Sequence, residues 1–380
     1  MISETQFETP FGQFELQRRP RRAQEKLRPW DAADEYLLKT VAEEYSGFNR
    51  PLICNDSFGA LSVALHRQQP VNWSDSYIAQ QAVRDNLLTN KLEAACVEFL
   101  GSLSLPPSSP ELVLVKVPKT LALLEDQLIR LKPLLTDSSR VLIAGMVKSM
   151  PSSVWKMVER VIGPTQTRRA VKKAKIIQVT VDPALGLPVN PYPTSWTLEE
   201  TSLIFVNHAN VFSREKLDIG ARFLMENLPQ TEGEGDIIDL GCGNGVLGIM
   251  AARQNPQAIM HFVDESYMAI ASATQNYEQS GLDTGQASFH VSDGLSDFED
   301  ACSDLVLCNP PFHQQQAVDD GAALNLFSQA ARVLRPGAEL WVIGNRHLGY
   351  HKKLKKWFKP VELMASNNKF VVLKATKTEL

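Results

Sequence analysis

Hydrophobic positions along the 380-residue chain fall into two recurring patterns. Short apolar runs such as Leu112 to Val115, Ile237 to Leu240 and Asp304 to Cys308 have the length and continuity of strands buried on both faces. Between such runs lie longer segments with apolar residues at helical spacing, for example Ala79 to Leu100, Leu121 to Leu131 and Ala322 to Leu334. Their alternation predicts strand and crossover-helix units building a mostly parallel sheet, an α/β fold.

Prolines interrupt the pattern near the middle. Pro183, Pro188, Pro191 and Pro193 lie within Asp182 to Pro193 and exclude a helix or central strand there. The length suits two domains, expected at 1–182 and 194–380 with 183–193 as linker. Three matched segments recur in the same order on either side. Leu52 to Leu61 (LICNDSFGAL) resembles Ile238 to Leu247 (IDLGCGNGVL), which aligns Gly59 with Gly245. Glu111 to Pro118 resembles Asp304 to Pro311, and Arg140 to Gly145 resembles Glu339 to Gly344. The second half reads as a duplicate of the first.

Composition narrows the class. With 44% hydrophobic and 22% charged residues the chain is globular and not disordered. Its apolar runs fall short of the roughly 20 residues a membrane span needs. Arg18, Arg19, Arg21 and Arg22 follow a mostly polar start, so a cytoplasmic protein is expected. Cys54, Cys96, Cys242, Cys302 and Cys308 form no C-x-x-C pair and no metal-ligand spacing, so reduced thiols and no metal are expected. A net charge of -4 argues against a uniformly basic nucleic-acid binder. Local basic runs at Arg18 to Arg22, Arg168 to Lys175 and Lys352 to Lys359 remain candidates for phosphate contact.

The chemistry concentrates in the second half. The strand candidate ending at Leu240 runs into Gly241-Cys242-Gly243-Asn244-Gly245 before a helical pattern. Glycines there allow a tight turn and a close backbone approach to a ligand at a helix N-terminus. The frame Gly243-x-Gly245-x-x-Gly248 also fits the dinucleotide fingerprint, so spacing alone leaves a methyl donor and a nicotinamide cofactor both open. Asp264, after His261-Phe262-Val263, is placed to accept hydrogen bonds from ribose hydroxyls, and Asp293 to accept one from an adenine amine. Asp264 could instead be a solvent-facing aspartate starting the next helix, and Asp293 part of a plain turn.

Asn309-Pro310-Pro311-Phe312 follows the strand Asp304 to Cys308, at the sheet edge where ligands bind in open α/β folds. These residue types suit methylation of a planar NH₂ group, whose lone pair is delocalised. The Asn309 side-chain oxygen and the Pro310 carbonyl would accept both N–H bonds and favour a pyramidal amine. Phe312 would stack on the base, and the prolines would hold the segment rigid. His313, beside the motif, could touch substrate or be structural.

From about Asn210 onward the chain resembles class I methyltransferases with an N-P-P-[FYW] motif. Val211-Phe212-Ser213, Leu217-Asp218-Ile219-Gly220, D-L-G-C-G-N-G and N-P-P-F-H resemble, more narrowly, the ribosomal RNA guanine-N2 methyltransferases. That resemblance implies two tandem Rossmann-like domains, the N-terminal one degenerate, and S-adenosyl-L-methionine as donor. It implies that Phe212, Asp218 and Gly220 cover the donor, and that Asp239, Gly241, Gly243, Asn244 and Gly245 hold its methionine portion. Asp264 would hold its ribose, and Asn309, Pro310 and Phe312 the target guanine. The substrate implied is ribosomal RNA, 23S of the large subunit, with 16S RNA, adenine or protein glutamine as alternatives. A non-catalytic RNA-binding assembly factor is the alternative of another class.

The first half has Asn55-Asp56-Ser57-Phe58-Gly59 for the glycine loop and Lys116-Val117-Pro118 for N-P-P. It is expected to bind RNA through its basic runs and neither to bind the donor nor to catalyse. His351 to Lys359 interleaves cations with aromatics, which fits both an RNA surface and a helix with one apolar face.

Overall fold

A computed structural model describes residues 4–21, 25–45, 47–106, 108–231, 235–311 and 320–378. The chain divides into two compact units, Met1–Tyr192 and Pro193–Leu380. Neither helix nor strand occurs in 183–193.

The N-terminal unit opens with a hairpin of β1 (Gln6–Thr9) and β2 (Gly12–Glu15), then α1 (Ala32–Glu44). Its sheet comprises β3 (Leu52–Cys54), β4 (Val71–Ser74), β5 (Glu98–Gly101), β6 (Leu112–Lys116), β7 (Arg140–Met146), β8 (Thr165–Thr167) and β9 (Ala174–Val179). Helices α2 (Ala60–Ala64), α3 (Tyr77–Thr89), α4 (Leu121–Leu131) and α5 (Ser152–Val161) connect them. The strand order is β5-β4-β3-β6-β7-β9-β8, with β9 antiparallel to its neighbours and the other pairs parallel.

The C-terminal unit repeats this plan. A hairpin of β10 (Thr194–Thr197) and β11 (Ile204–Asn207) precedes α6 (Ile219–Met225). The sheet strands are β12 (Asp236–Leu240), β13 (Ile259–Asp264), β14 (Ala287–Val291), β15 (Ser303–Cys308), β16 (Leu334–Asn345), β17 (Val361–Ser366) and β18 (Phe370–Thr376). The helices are α7 (Val246–Gln254), α8 (Tyr267–Gln279), α9 (Asp320–Val333) and α10 (Tyr350–Lys353). The order β14-β13-β12-β15-β16-β18-β17, again with one antiparallel insertion, matches the first sheet strand for strand.

Local chemistry repeats with it. Gly59 and Gly245 both cap their helices in the left-handed region, at φ 85° and 81°, as their alignment in the sequence requires. Ser76 and Ser266 cap α3 and α8, each accepting a hydrogen bond at 3.1 Å from the amide three residues on. The central strands are buried on both faces, which explains their unbroken apolar runs. Ile237, Leu305, Leu307 and Ile343 pack into one core layer, while Ile238, Leu240, Val306 and Val342 pack into the other.

One expected helix is shorter than its pattern. Ala79 to Leu100 is helical only to Thr89. Lys91 then takes a left-handed φ of 57°, and Glu98–Gly101 is the edge strand β5. Periodicity could not separate the two, because both bury apolar residues at compatible spacing. No helix among the described residues is long and apolar enough to cross a membrane.

Candidate active site

The glycine loop leaves the C-terminal end of β12 with three glycines at positive φ: Gly241 at 75°, Gly243 at 55° and Gly245 at 81°. They differ in what surrounds them. A Cβ at Gly241 or Gly243 would meet nothing within 4 Å, so open space lies over this part of the loop. At Gly245 it would lie 3.0 Å from Ala273, and at Gly248 2.3 Å from Phe262. These last two glycines serve packing of the loop and helix against β13 and α8.

Asp264, at the end of β13, anchors the loop through a bond of 2.9 Å from the Gly243 amide to one carboxylate oxygen. Its other oxygen accepts from the Ser266 amide at 2.9 Å. Asp239 is fully buried. One oxygen accepts from the Gly248 amide at 2.8 Å, and the other has no hydrogen-bond partner among the described residues. Burial pushes its pKa up to about 7, and the nearby Asp264 adds to the effect.

Asn309 follows β15 at the same sheet edge as the loop, since Cys308 pairs with Leu240 in parallel register. Its side-chain oxygen is buried and has no hydrogen-bond partner among the described residues. The N-terminus of α6 reaches this place. Asp218 caps that helix by accepting from the Ala221 amide at 2.9 Å, and a Cβ on Gly220 would lie 3.8 Å from the Asn309 oxygen. Asp218, Gly220 and Asn309 are therefore brought together from positions some ninety residues apart in the sequence. Pro310 is buried behind Asn309. Phe312 and His313 lie outside the described residues.

The remaining expected site residues are placed less directly. Phe212 is 67% exposed, beside Ser213 at φ 55°. Asp293 follows the end of β14 and is 9% exposed at the start of a turn. Asn244 differs from expectation in its side-chain use. Its amide donates to Asn207 at 2.9 Å and its oxygen accepts from the Val246 amide at 3.2 Å, so the side chain fastens the loop internally.

Sequence reasoning missed the asparagines that brace this loop. Asn276 on α8 donates to the carbonyls of Asn244 and Val206, both at 2.9 Å, and accepts from the Val206 amide at 2.7 Å. Asn86 on α3 does the same in the first unit, donating to Phe58 at 2.8 Å and accepting from Gln17 at 2.9 Å. Each stands ten residues after the capping serine, a repeat that the sequence carried in view.

The first unit has no open loop. Asn55 takes the positive φ of Gly241, at 65°, and donates to the Lys116 carbonyl at 3.0 Å and to Gln127 at 2.9 Å. The buried Asp56 carboxylate accepts from the Gly59 and Ser62 amides at 3.0 and 2.8 Å. Ser74 stands where the second unit has Asp264, as the parallel registers show. Lys116 is buried between Asp31 and Asp34, at 2.8 and 2.6 Å. Its two carboxylates hold the lysine above its ordinary range against the opposing effect of burial.

Half of the described cations in the basic runs of the first unit are paired with acids, while Arg21, Arg169, Lys173 and Lys175 have no carboxylate partner among the described residues. Arg18 faces Glu25 at 3.7 Å, Arg19 meets Asp85 at 2.6 Å, Arg168 grips both oxygens of Glu44, and Lys172 meets Glu35 at 2.8 Å. Arg22 lies outside the described residues.

A cavity of about 570 Å³ lies along the edge strand β14, lined by His261, His290, Phe298 and Asp236 among others. None of the residues of the glycine loop or the N-P-P segment lines it.

Strand order and the glycine turn after the first sheet strand define the C-terminal unit as a class I methyltransferase fold, and the N-terminal unit as a second copy with Asn55 and Ser57 in place of Gly241 and Gly243. Residues 4–183 match the family described as RLMG N-terminal domain, and residues 202–374 the methyltransferase small domain. The chain belongs to the ribosomal RNA large subunit methyltransferase G family. The Aeromonas salmonicida member is 46% identical over 98% of this chain and 100% of its own length. The Ectopseudomonas mendocina member is 48% identical over 98% and 99%. Among solved structures, a T. thermophilus 16S rRNA N2 guanine methyltransferase in complex with AdoMet and guanosine superposes with a TM-score of 0.78 at 21% identity, covering 98% of this chain and 97% of that one.

Proposed function

We propose that the C-terminal unit transfers the methyl group of S-adenosylmethionine to the exocyclic N2 amine of one guanine in 23S ribosomal RNA, in the cytoplasm. The observation that carries this reading is the buried oxygen of Asn309, unpartnered among the described residues, at the sheet edge shared with the glycine loop. A buried acceptor without a donor is costly, and an incoming N–H group relieves it. The names of the relatives support a ribosomal RNA substrate of the large subunit.

The donor supplies an electrophilic methyl group. Open space over Gly241 and Gly243 and the orphaned oxygen of Asp239 fit its methionine end, whose ammonium would satisfy that carboxylate. Asp264 keeps the loop in place and offers a carboxylate at the end of β13 for ribose hydroxyls. Asn309 and the Pro310 carbonyl accept the two N–H bonds of the target amine, and so direct its lone pair at the methyl group. No strong base is required, because the amine becomes acidic as the new bond forms. A guanine stacked in RNA cannot reach this edge, so the target is unpaired or flipped out.

The domain division follows the same reading: the first unit, without an open loop, neither binds the donor nor catalyses. Incubation with labelled donor and protein-free 23S RNA, 16S RNA, assembled subunits, DNA or protein tests the proposal. Label recovered as N2-methylguanosine from 23S RNA is the expected result. Label in N6-methyladenosine, in 16S RNA or in protein refutes it.

A further inference from the structure

The duplicated fold provides an internal control for surface charge. In each unit a connector follows the fifth sheet strand, β7 or β16, and packs back on the sheet. In the first unit the connector 147–161 carries Lys148, Lys156 and Arg160 together with Glu159, and Arg160 is tied to Glu125. In the second the connector 346–359 carries Arg346 and five lysines, with no aspartate or glutamate. The fold therefore does not demand these cations.

Their setting excludes a purely packing role. Leu354 and Phe358 are buried in the core with Tyr350, so they fix the backbone of the connector. Lys352, Lys355, Lys356 and Lys359 are exposed on its other side, and none pairs with a carboxylate among the described residues. The Lys356 ammonium lies 4.6 Å from the centroid of the Trp357 ring, which holds the charge near the surface. The connector leaves the sheet after Asn345, at the edge that Asn309 also occupies because β15 and β16 run parallel, and crosses to the opposite edge, where the Lys359 amide donates to the Thr376 carbonyl at 2.9 Å. In the first unit Arg18, Arg19, Arg168 and Lys172, half of the described cations of its basic runs, are engaged with acids.

We propose that Lys352, Lys355, Lys356 and Lys359 form a phosphate-contacting surface for the RNA substrate, within the unit that performs catalysis. The inference rests on the reading of ribosomal RNA as substrate. Cations without acidic neighbours release counterions on meeting phosphates, and that release is measurable as salt dependence.

The test uses the full chain with all four lysines changed to glutamine, beside a version with all four changed to arginine. Binding to protein-free 23S RNA is measured over a series of salt concentrations, and donor binding is measured in parallel to establish folding. The glutamine version is expected to lose about three to four from the slope of log affinity against log salt, roughly one per phosphate contact. The arginine version is expected to keep the slope. A glutamine version with unaltered slope overturns the surface and leaves the methylation reading intact if the wild type still labels guanine. A wild type that binds 23S RNA with the expected slopes but labels no RNA overturns the methylation reading alone. A wild type that does not bind the RNA overturns both.

Discussion

Lys116 and Asn309 occupy the same position in two copies of one sheet. Val115 pairs with Cys54 and Cys308 pairs with Leu240, and the next residue in each case is the one in question. Lys116 finds two carboxylates within 2.8 Å, whereas the oxygen of Asn309 finds no partner among the described residues.

Asn309→Ala removes an acceptor that has no donor among the described residues. Turnover is expected to fall by on the order of 100-fold or more, while donor affinity and melting temperature stay near wild type. Methyl transfer assays beside calorimetric donor titration check this, and unchanged turnover would remove Asn309 from the site.

Lys116→Ala has the opposite signature. It leaves Asp34, only 5% exposed, beside Asp31 without a counter-charge, and a loss of about 3–5 kcal/mol is expected for breaking a buried pair. Denaturant unfolding measures it; the rate per folded molecule should change little.

The glycines of the loop separate ligand space from packing. Gly243→Ala introduces a side chain at φ 55° into open space, costing about 1 kcal/mol of stability. Its larger effect is expected on donor affinity. Gly248→Ala would place a Cβ 2.3 Å from Phe262 and should destabilise by about 1–3 kcal/mol or more. Parallel melting curves and donor titrations would show equal losses at both sites if the open space holds no ligand.

Asp239 gives a pH dependence of definite sign. Its native pKa is about 7 against an ordinary 3.8, so between these values the native state holds a proton that the unfolded chain has lost. Stability from this group is complete below about pH 4 and declines as pH rises through 7, by on the order of 4 kcal/mol. Asp239→Asn is expected to flatten that decline in unfolding experiments, and an equal slope in the variant would assign it elsewhere.

Donor titration of the wild type is expected to show one site per chain. The first-unit loop is filled by Asn55 and Asp56 and has Ser74 in place of Asp264. Two equivalent sites would contradict its assignment as inactive.

Much of this plan was legible before any coordinates. Gly59 and Gly245 aligned in the sequence because both cap a helix in the left-handed region, a demand on backbone that few residues meet. Leu121 to Leu131 matched its helix because it is bounded by clear changes of pattern. Other features depend on contacts distant in sequence. Nothing local to Lys116 announces Asp31 and Asp34, eighty or more residues earlier, and nothing in Arg168 announces Glu44. The same limit hid the internal use of the Asn244 side chain, whose partner Asn207 lies on the hairpin.

The filled loop of the first unit and the open loop of the second also differ in what sets their stability. Lys116, Asn55 and Asp56 are always present at full strength, since they belong to the chain. The open loop instead gains stability by mass action, in proportion to the logarithm of free donor above its dissociation constant. On the proposed function, the C-terminal half would be coupled to the methyl-donor supply of the cell, while the N-terminal half would be independent of it.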